Sequence, residues 1–346
     1  MKIIKLIIFT MTLITAKAQE LPNLFPEWET PQGIVVVYPD KLPNKREELI
    51  PFYDYFIQSV IDNSELKEIN LIHRQGLKES LNKKFTNSKV KLICLNNVQD
   101  IWIRDFAPIA SSENELVKAL YSPKYFNSAE KKYALLDDSV GSELAEKLNK
   151  KIKHFTFQNQ KIIIDGGNLI HNGKGTAITT NRIISDNESI SIEQMRLAFK
   201  EQLGISNLII VPVEPSDETG HIDGMMRFIN ETTVVIASYS ENYLEGKIFL
   251  DNVAKQIEKH FNVIRINSET PKDQKAEEFP SAFGNYINYL RIGNTIFLPQ
   301  YGILDKDQDA IKIYEKYFKV IPISKDIAKL SDLGGILNCI TWIYFK

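Results

Sequence analysis

Gly334-Gly335-Ile336-Leu337-Asn338-Cys339-Ile340-Thr341 sets a cysteine between a glycine turn and a short apolar tail. A lone thiol in that setting is a candidate nucleophile if a histidine and orienting polar groups reach it. Polar clusters recur upstream at similar intervals. Asp105, Asp165, Asp223, Asn288 and Cys339 are separated by 60, 58, 65 and 51 residues. A module of that length, repeated, would bring one polar group per copy to a common axis, as radial repeat folds do.

The runs between these clusters place the chain in the α/β class. Apolar periodicity predicts helices over 46–62, 77–85, 139–150, 191–204, 245–260 and 308–318. Ser191 with Gln194 forms a capping box, and Gly204 supplies the stop. Strands are predicted over 34–38, 68–73, 90–95, 161–164, 208–213, 232–237, 263–266, 295–298 and 320–323. No sequence repeat is visible, and a general α/β sheet with irregular insertions would satisfy the same spacing.

The chain has 346 residues, 43% hydrophobic and 25% charged, an ordinary globular composition. A formal net charge of -2 gives no basic surface for nucleic acid. Lys2 and Lys5, the apolar run 6–16 and Ala16-Lys17-Ala18 form a signal-peptide pattern, predicted as residues 1–18. The apolar run is shorter than the ~20 residues a membrane-spanning helix needs, although an uncleaved anchor is the other reading. Cleavage would remove three lysines, take the charge from -2 to -5, and leave residues 19–346 as one exported domain with no membrane insertion. The other cysteine, Cys94, sits in a strand-like run and is expected to be a small buried hydrophobe.

Asp100-Ile101-Trp102-Ile103-Arg104-Asp105 packs two carboxylates, a guanidinium and an indole into six positions. Strand-like alternation would put Trp102 and Arg104 on one side and Asp105 on the other. A structural Arg–Asp pair explains this segment equally well. Asp165-Gly166-Gly167-Asn168 ends an apolar run with two glycines, which permit a close backbone approach or a plain turn. Gly220-His221-Ile222-Asp223-Gly224 would aim His221 and Asp223 at one face if extended. Of the five histidines, only His221 has a carboxylate in this arrangement between glycines. The segment 284–289 reads as a tyrosine-rich strand with a polar face carrying Asn288. No second histidine or cysteine offers metal-ligand spacing.

One thiol, one histidine and several carboxylates define a chemistry. A cysteine protease needs one orienting Asn or Asp and has no use for two or three central carboxylates. Converging carboxylates suit a planar guanidinium, whose N–H groups pair with them bidentately. Its central carbon is then open to the thiolate of Cys339, with a thiolate fraction expected to depend on His221. These residues point to a guanidine-modifying hydrolase. A Cys-His-Asn protease or amidase, and a non-catalytic arginine- or polyamine-binding protein, are the alternatives.

The chain resembles the agmatine deiminase and Porphyromonas-type peptidylarginine deiminase family of the guanidine-modifying (pentein) superfamily. The matching motifs are Pro26-Glu27-Trp28-Glu29, Asp100-x-Trp102-x-Arg104-Asp105, Asp165-Gly166-Gly167-Asn168, Gly220-His221-x-Asp223, Tyr286-x-Asn288, Pro299-x-Tyr301-Gly302 and Gly334-Gly335 before Cys339. The resemblance implies a five-bladed α/β propeller with pseudo-fivefold symmetry. It implies hydrolysis of a guanidine, agmatine or peptidyl-arginine, to a ureido group with release of ammonia, without metal or organic cofactor. Carried over by motif, Asp105 and Asp223 clamp the guanidinium, Cys339 attacks it, and His221 acts as acid and then base. Trp102, Arg104, Asp165, Asn168 and Asn288 are the implied substrate-binding positions. The chain departs from the pattern at Asn338, where many relatives have His, at Ala107, where Gly is usual, and in its short aromatic tail.

Overall fold

The computed structural model describes residues 24–110, 114–269 and 280–345. The predicted leader, residues 1–18, lies outside the described residues. Five modules share one plan. A first strand pairs antiparallel with a second, a helix follows, and a third strand returns parallel to the second. The first module joins residues far apart in the chain. Thr341–Tyr344 pairs antiparallel with Gly33–Val37, helix Ile50–Asn63 crosses over, and Glu68–His73 returns in parallel. Val90–Cys94 adds a fourth strand.

The second module runs Ile109–Ala110, Glu115–Lys118, helix Ser128–Lys147 and Lys151–His154. The third runs Ile170–His171, Thr176–Thr180, helix Ile192–Leu203 and Asn207–Val211. The fourth runs Met226–Asn230, Thr233–Ser238, helix Leu244–Ile257 and Asn262–Asn267. The fifth runs Leu290–Ile292, Thr295–Pro299, helix Leu304–Tyr314 and Lys319–Ile323.

The second strand of the first module reads as an unbroken apolar run because both faces are covered. Gly33–Val37 is buried at every position, as parallel pairing under a crossover helix requires. Helix Ile50–Asn63 buries Phe52, Tyr53, Phe56, Ile57, Val60 and Ile61, the stripe that its 3.6-residue period dictates. Phe56 meets the edge of Phe297 at 6.4 Å and ties the first module to the fifth. Helix Ile192–Leu203 has the expected ends: Ser191 and Gln194 cap each other reciprocally, and Gly204 turns out at φ 67°.

Several expectations need correction. Helix Ser128–Lys147 starts well before 139, because Asn127 and Glu130 form a second reciprocal cap. Helix Leu304–Tyr314 lies four residues earlier than 308–318. Of the run 161–164 only Lys161 lies in a strand, the two-residue Gln160–Lys161, and Ile163 makes an isolated bridge to Leu120. Residues 103–106 form one helical turn, so the alternation assumed for Trp102, Arg104 and Asp105 does not exist. Residues 284–289 are turns and bends rather than a strand. Cys94 lies on its strand but is exposed, and both cysteines are free.

The polar residues occupy equivalent places. Each lies just before the first strand of a module: Asp105 before Ile109–Ala110, Asp165 and Asn168 before Ile170–His171, His221 and Asp223 before Met226–Asn230. Asn288 precedes Leu290–Ile292, and Asn338 and Cys339 precede Thr341–Tyr344. Their spacing in the sequence is therefore the length of the module.

Candidate active site

Hydrogen bonds lead from each of these pre-strand segments to the next and return to the start. Gly167 N donates to Asp105 Oδ1 at 3.1 Å. Asn168 Oδ1 accepts from Thr180 N at 3.1 Å, and the Thr180 hydroxyl donates to Gly220 O at 2.7 Å. Asn288 Nδ2 donates to Asp223 O at 3.4 Å, and Asn338 N donates to Asn288 O at 3.2 Å. Arg104 N donates to Cys339 O at 3.1 Å. Glycine is needed where segments crowd: a Cβ on Gly167 would lie 2.7 Å from His221 Nδ1 and 2.8 Å from Asp105 Oδ1.

This arrangement surrounds a cavity of about 430 Å³. Trp102, Asp105, His221, Asp223, Asn288 and Cys339 line it together. Three further sequence-derived positions do not. Asp165 stands behind His221, with Nε2 and Asp165 Oδ2 3.0 Å apart, and it accepts from Tyr125 Oη at 2.9 Å. Arg104 stands behind Asn338, donating from Nη2 to Asn338 Oδ1 at 3.0 Å. Asn168 is engaged by Thr179 and Thr180.

The nucleophile candidate is partly buried. Asn288 Oδ1 accepts from Cys339 N at 3.3 Å and from its Sγ at 3.4 Å. Burial pushes the thiol well above its usual range, and the negative charges of Asp223 and Asp105 push it further. These shifts hold Cys339 in its thiol form. The expected pairing with His221 is absent among the described hydrogen bonds, since that imidazole is engaged by carboxylates. His221 Nδ1 lies 3.6 Å from Asp105 Oδ1, opposite its bond to Asp165.

Burial alone would lower the His221 pKa, but Asp105 and Asp165 outweigh it and raise it to about 10. The ring is an imidazolium at neutral pH. Asp105 also moves up, to about 7, because burial outweighs the imidazolium beside it and Asp165 and Asp223 add to the shift. Asp223 is raised by burial, partly offset by His221 and by the amide of Asn338. The site thus holds an ionisable thiol, a proton donor and two carboxylates facing one space.

The model of the Porphyromonas-type peptidyl-arginine deiminase family matches residues 23–344. The chain belongs to this family. It is accordingly a hydrolase of guanidino carbon–nitrogen bonds. An agmatine deiminase of Medicago truncatula is 22% identical over 91% of this chain and 94% of its own. Among solved structures, an agmatine deiminase of C. jejuni superposes with TM-score 0.79 at 23% identity, covering 94% of this chain and 97% of the other. An agmatine deiminase of Enterococcus faecalis gives TM-score 0.76 at 15% identity, covering 95% and 97%.

Sequence reasoning missed several supports of the family site. Asp217 Oδ2 accepts from His221 N at 3.0 Å and fixes the entry to the histidine turn. Tyr125, far from any quoted motif, shares the Asp165 oxygen with His221. On the far side, Arg227 is only 1% exposed and donates to Glu27 Oε2 at 2.5 Å from Nη2 and to Tyr289 O at 3.0 Å from Nη1. Glu27 carried a sequence signal, as part of Pro26-Glu27-Trp28-Glu29. Asp217 and Tyr125 carried none.

Proposed function

We propose that this protein deiminates a guanidine substrate, agmatine first, through a covalent intermediate on Cys339. The observation that carries the reading is the cavity itself: two carboxylates, an imidazolium and a thiol face one space. Asp105 and Asp223 pair with the N–H edges of the guanidinium. The bound cation cancels the charges that keep Cys339 protonated, so the thiol yields its proton to solvent as the substrate enters. The thiolate then bonds to the central carbon. His221 gives its proton to the departing nitrogen, and the C–N bond breaks to release ammonia. A thiouronium remains. Neutral His221 takes a proton from water, the hydroxide adds to the same carbon, and the C–S bond breaks to leave the ureido product.

Agmatine fits the rest of the lining. Asp100, Glu130, Asp137, Glu214 and Asp217 also border the cavity, and Arg46 is the only lysine or arginine among the described lining residues. Burial raises the pKa of Asp100 and Asp137 and takes that of Glu214 to about 7, and a second positive charge on the substrate would draw them toward the ionised form, where a substrate carboxylate would not. Peptidyl-arginine is the second substrate to test, in keeping with export through residues 1–18. The reading includes the arrangement of the five modules as a five-bladed propeller about the cavity. Its test is a colorimetric ureido assay on agmatine, arginine and an arginine peptide, with Cys339→Ser as control. No product from any guanidine would refute it. Activity that survives Asp105→Asn would favour a Cys-His-Asn amidase instead.

A further inference from the structure

Asn338 adjoins the nucleophile, yet its side chain is committed elsewhere. Nδ2 donates to Asp223 Oδ2 at 2.6 Å, and Oδ1 accepts from Arg104 Nη2 at 3.0 Å. The residue is 3% exposed and does not line the cavity. Its backbone is held as firmly: Asn338 N donates to Asn288 Oδ1 at 3.0 Å, and Asn338 O accepts from Arg104 Nε at 3.3 Å. One amide therefore joins a cation that does not line the cavity to a carboxylate that does. Only Oδ2 of Asp223 has a hydrogen-bond partner among the described residues.

We propose that Asn338 is the positioning residue of the guanidinium clamp, accepting from Arg104 and donating to Asp223 Oδ2 so that Oδ1 is left for the substrate. The proposal rests on the guanidine-hydrolase reading. The position demands one acceptor and one donor on a single planar group. An amide provides both without titrating. A neutral imidazole also carries one of each, so the histidine that the resemblance expects here can serve the same two partners. Leucine keeps the volume and serves neither. Without its donor, Asp223 is free to rotate and binds a proton more readily.

The test measures agmatine binding by calorimetry across a pH series, on Cys339→Ser protein alone and with Asn338→Leu or Asn338→His added. Leucine is expected to weaken binding about 10- to 100-fold, the range for a lost hydrogen bond to a charged group. The loss should deepen as pH falls, and histidine should recover most of it. A merely structural role would weaken binding equally at every pH. Binding within about twofold of the parent, the usual scatter of independent sites, or an unmoved pH midpoint, overturns the proposal. If leucine prevents folding, Asn338→Ser carries the same expectation. Wild-type product formation, assayed separately, keeps the two ideas apart: no ureido product sinks the hydrolase reading, whereas an unchanged leucine variant sinks only the role of Asn338.

Discussion

Asp165→Asn isolates one of the charges that, with Asp105, keep His221 protonated. Asp165 Oδ2 takes both hydrogen bonds, from His221 and from Tyr125, while the buried Oδ1 has no partner. An asparagine oxygen in the Oδ2 place keeps both bonds and removes only the charge. A hydrogen bond to a charged group is worth about 1.5–3 kcal/mol and a neutral one about 0.5–1.5 kcal/mol. The difference of about 1–1.5 kcal/mol corresponds to roughly one pK unit. His221 would fall from about 10 by that amount, with Asp105 still holding it above its ordinary value. The assay is the pH dependence of kcat/KM for ureido formation. Its basic limb should move down by about one unit, giving up to about tenfold loss at high pH and little change near neutrality. An unmoved limb, or an equal loss at every pH, would refute the coupling of Asp165 to His221.

Other consequences concern the frame around the site. Glu27→Gln leaves the buried Arg227 without its counter-charge and should cost about 3–5 kcal/mol in urea unfolding; a loss under about 1 kcal/mol would contradict the buried pair. A Cβ on Gly335 would lie 2.5 Å from the Trp102 ring, so Gly335→Ala should raise KM while the thermal midpoint stays near wild type. An unchanged KM would mean that Trp102 does not shape the cavity. Stability of the substrate-free protein should decline as pH rises. The His221 contribution is complete below its ordinary 6.5 and is lost toward about 10, and the folded protein also holds the Asp105 proton between 3.8 and about 7. Urea midpoints that rise over this span would reverse the sign and refute the assignment.

The sequence made the site's members legible better than their directions. The motifs identified Asp105, His221, Asp223, Asn288 and Cys339, and all five line the cavity. They did not show that Arg104, Asp165 and Asn168 point behind it. Facing depends on local backbone, and the single helical turn Ile103–Phe106 rotates Arg104 away where an extended chain would not. The helices followed from periodicity and caps, although periodicity alone does not show the Asn127–Glu130 cap. Two of the first strands were not readable. Ile109–Ala110 and Ile170–His171 span two residues each, too few to show alternation, and tertiary pairing alone defines them.

Trapping the intermediate tests the central claim most directly. Wild-type protein quenched with acid during turnover retains the intermediate, because the second half of the reaction needs neutral His221 as base. Incubated with agmatine and examined by intact-protein mass spectrometry, it should gain the mass of the substrate less one ammonia, on the peptide carrying Cys339. The adduct should be absent from Cys339→Ser protein treated in the same way. Ureido product formed by wild type with no adduct on Cys339 at any quench time would contradict the account.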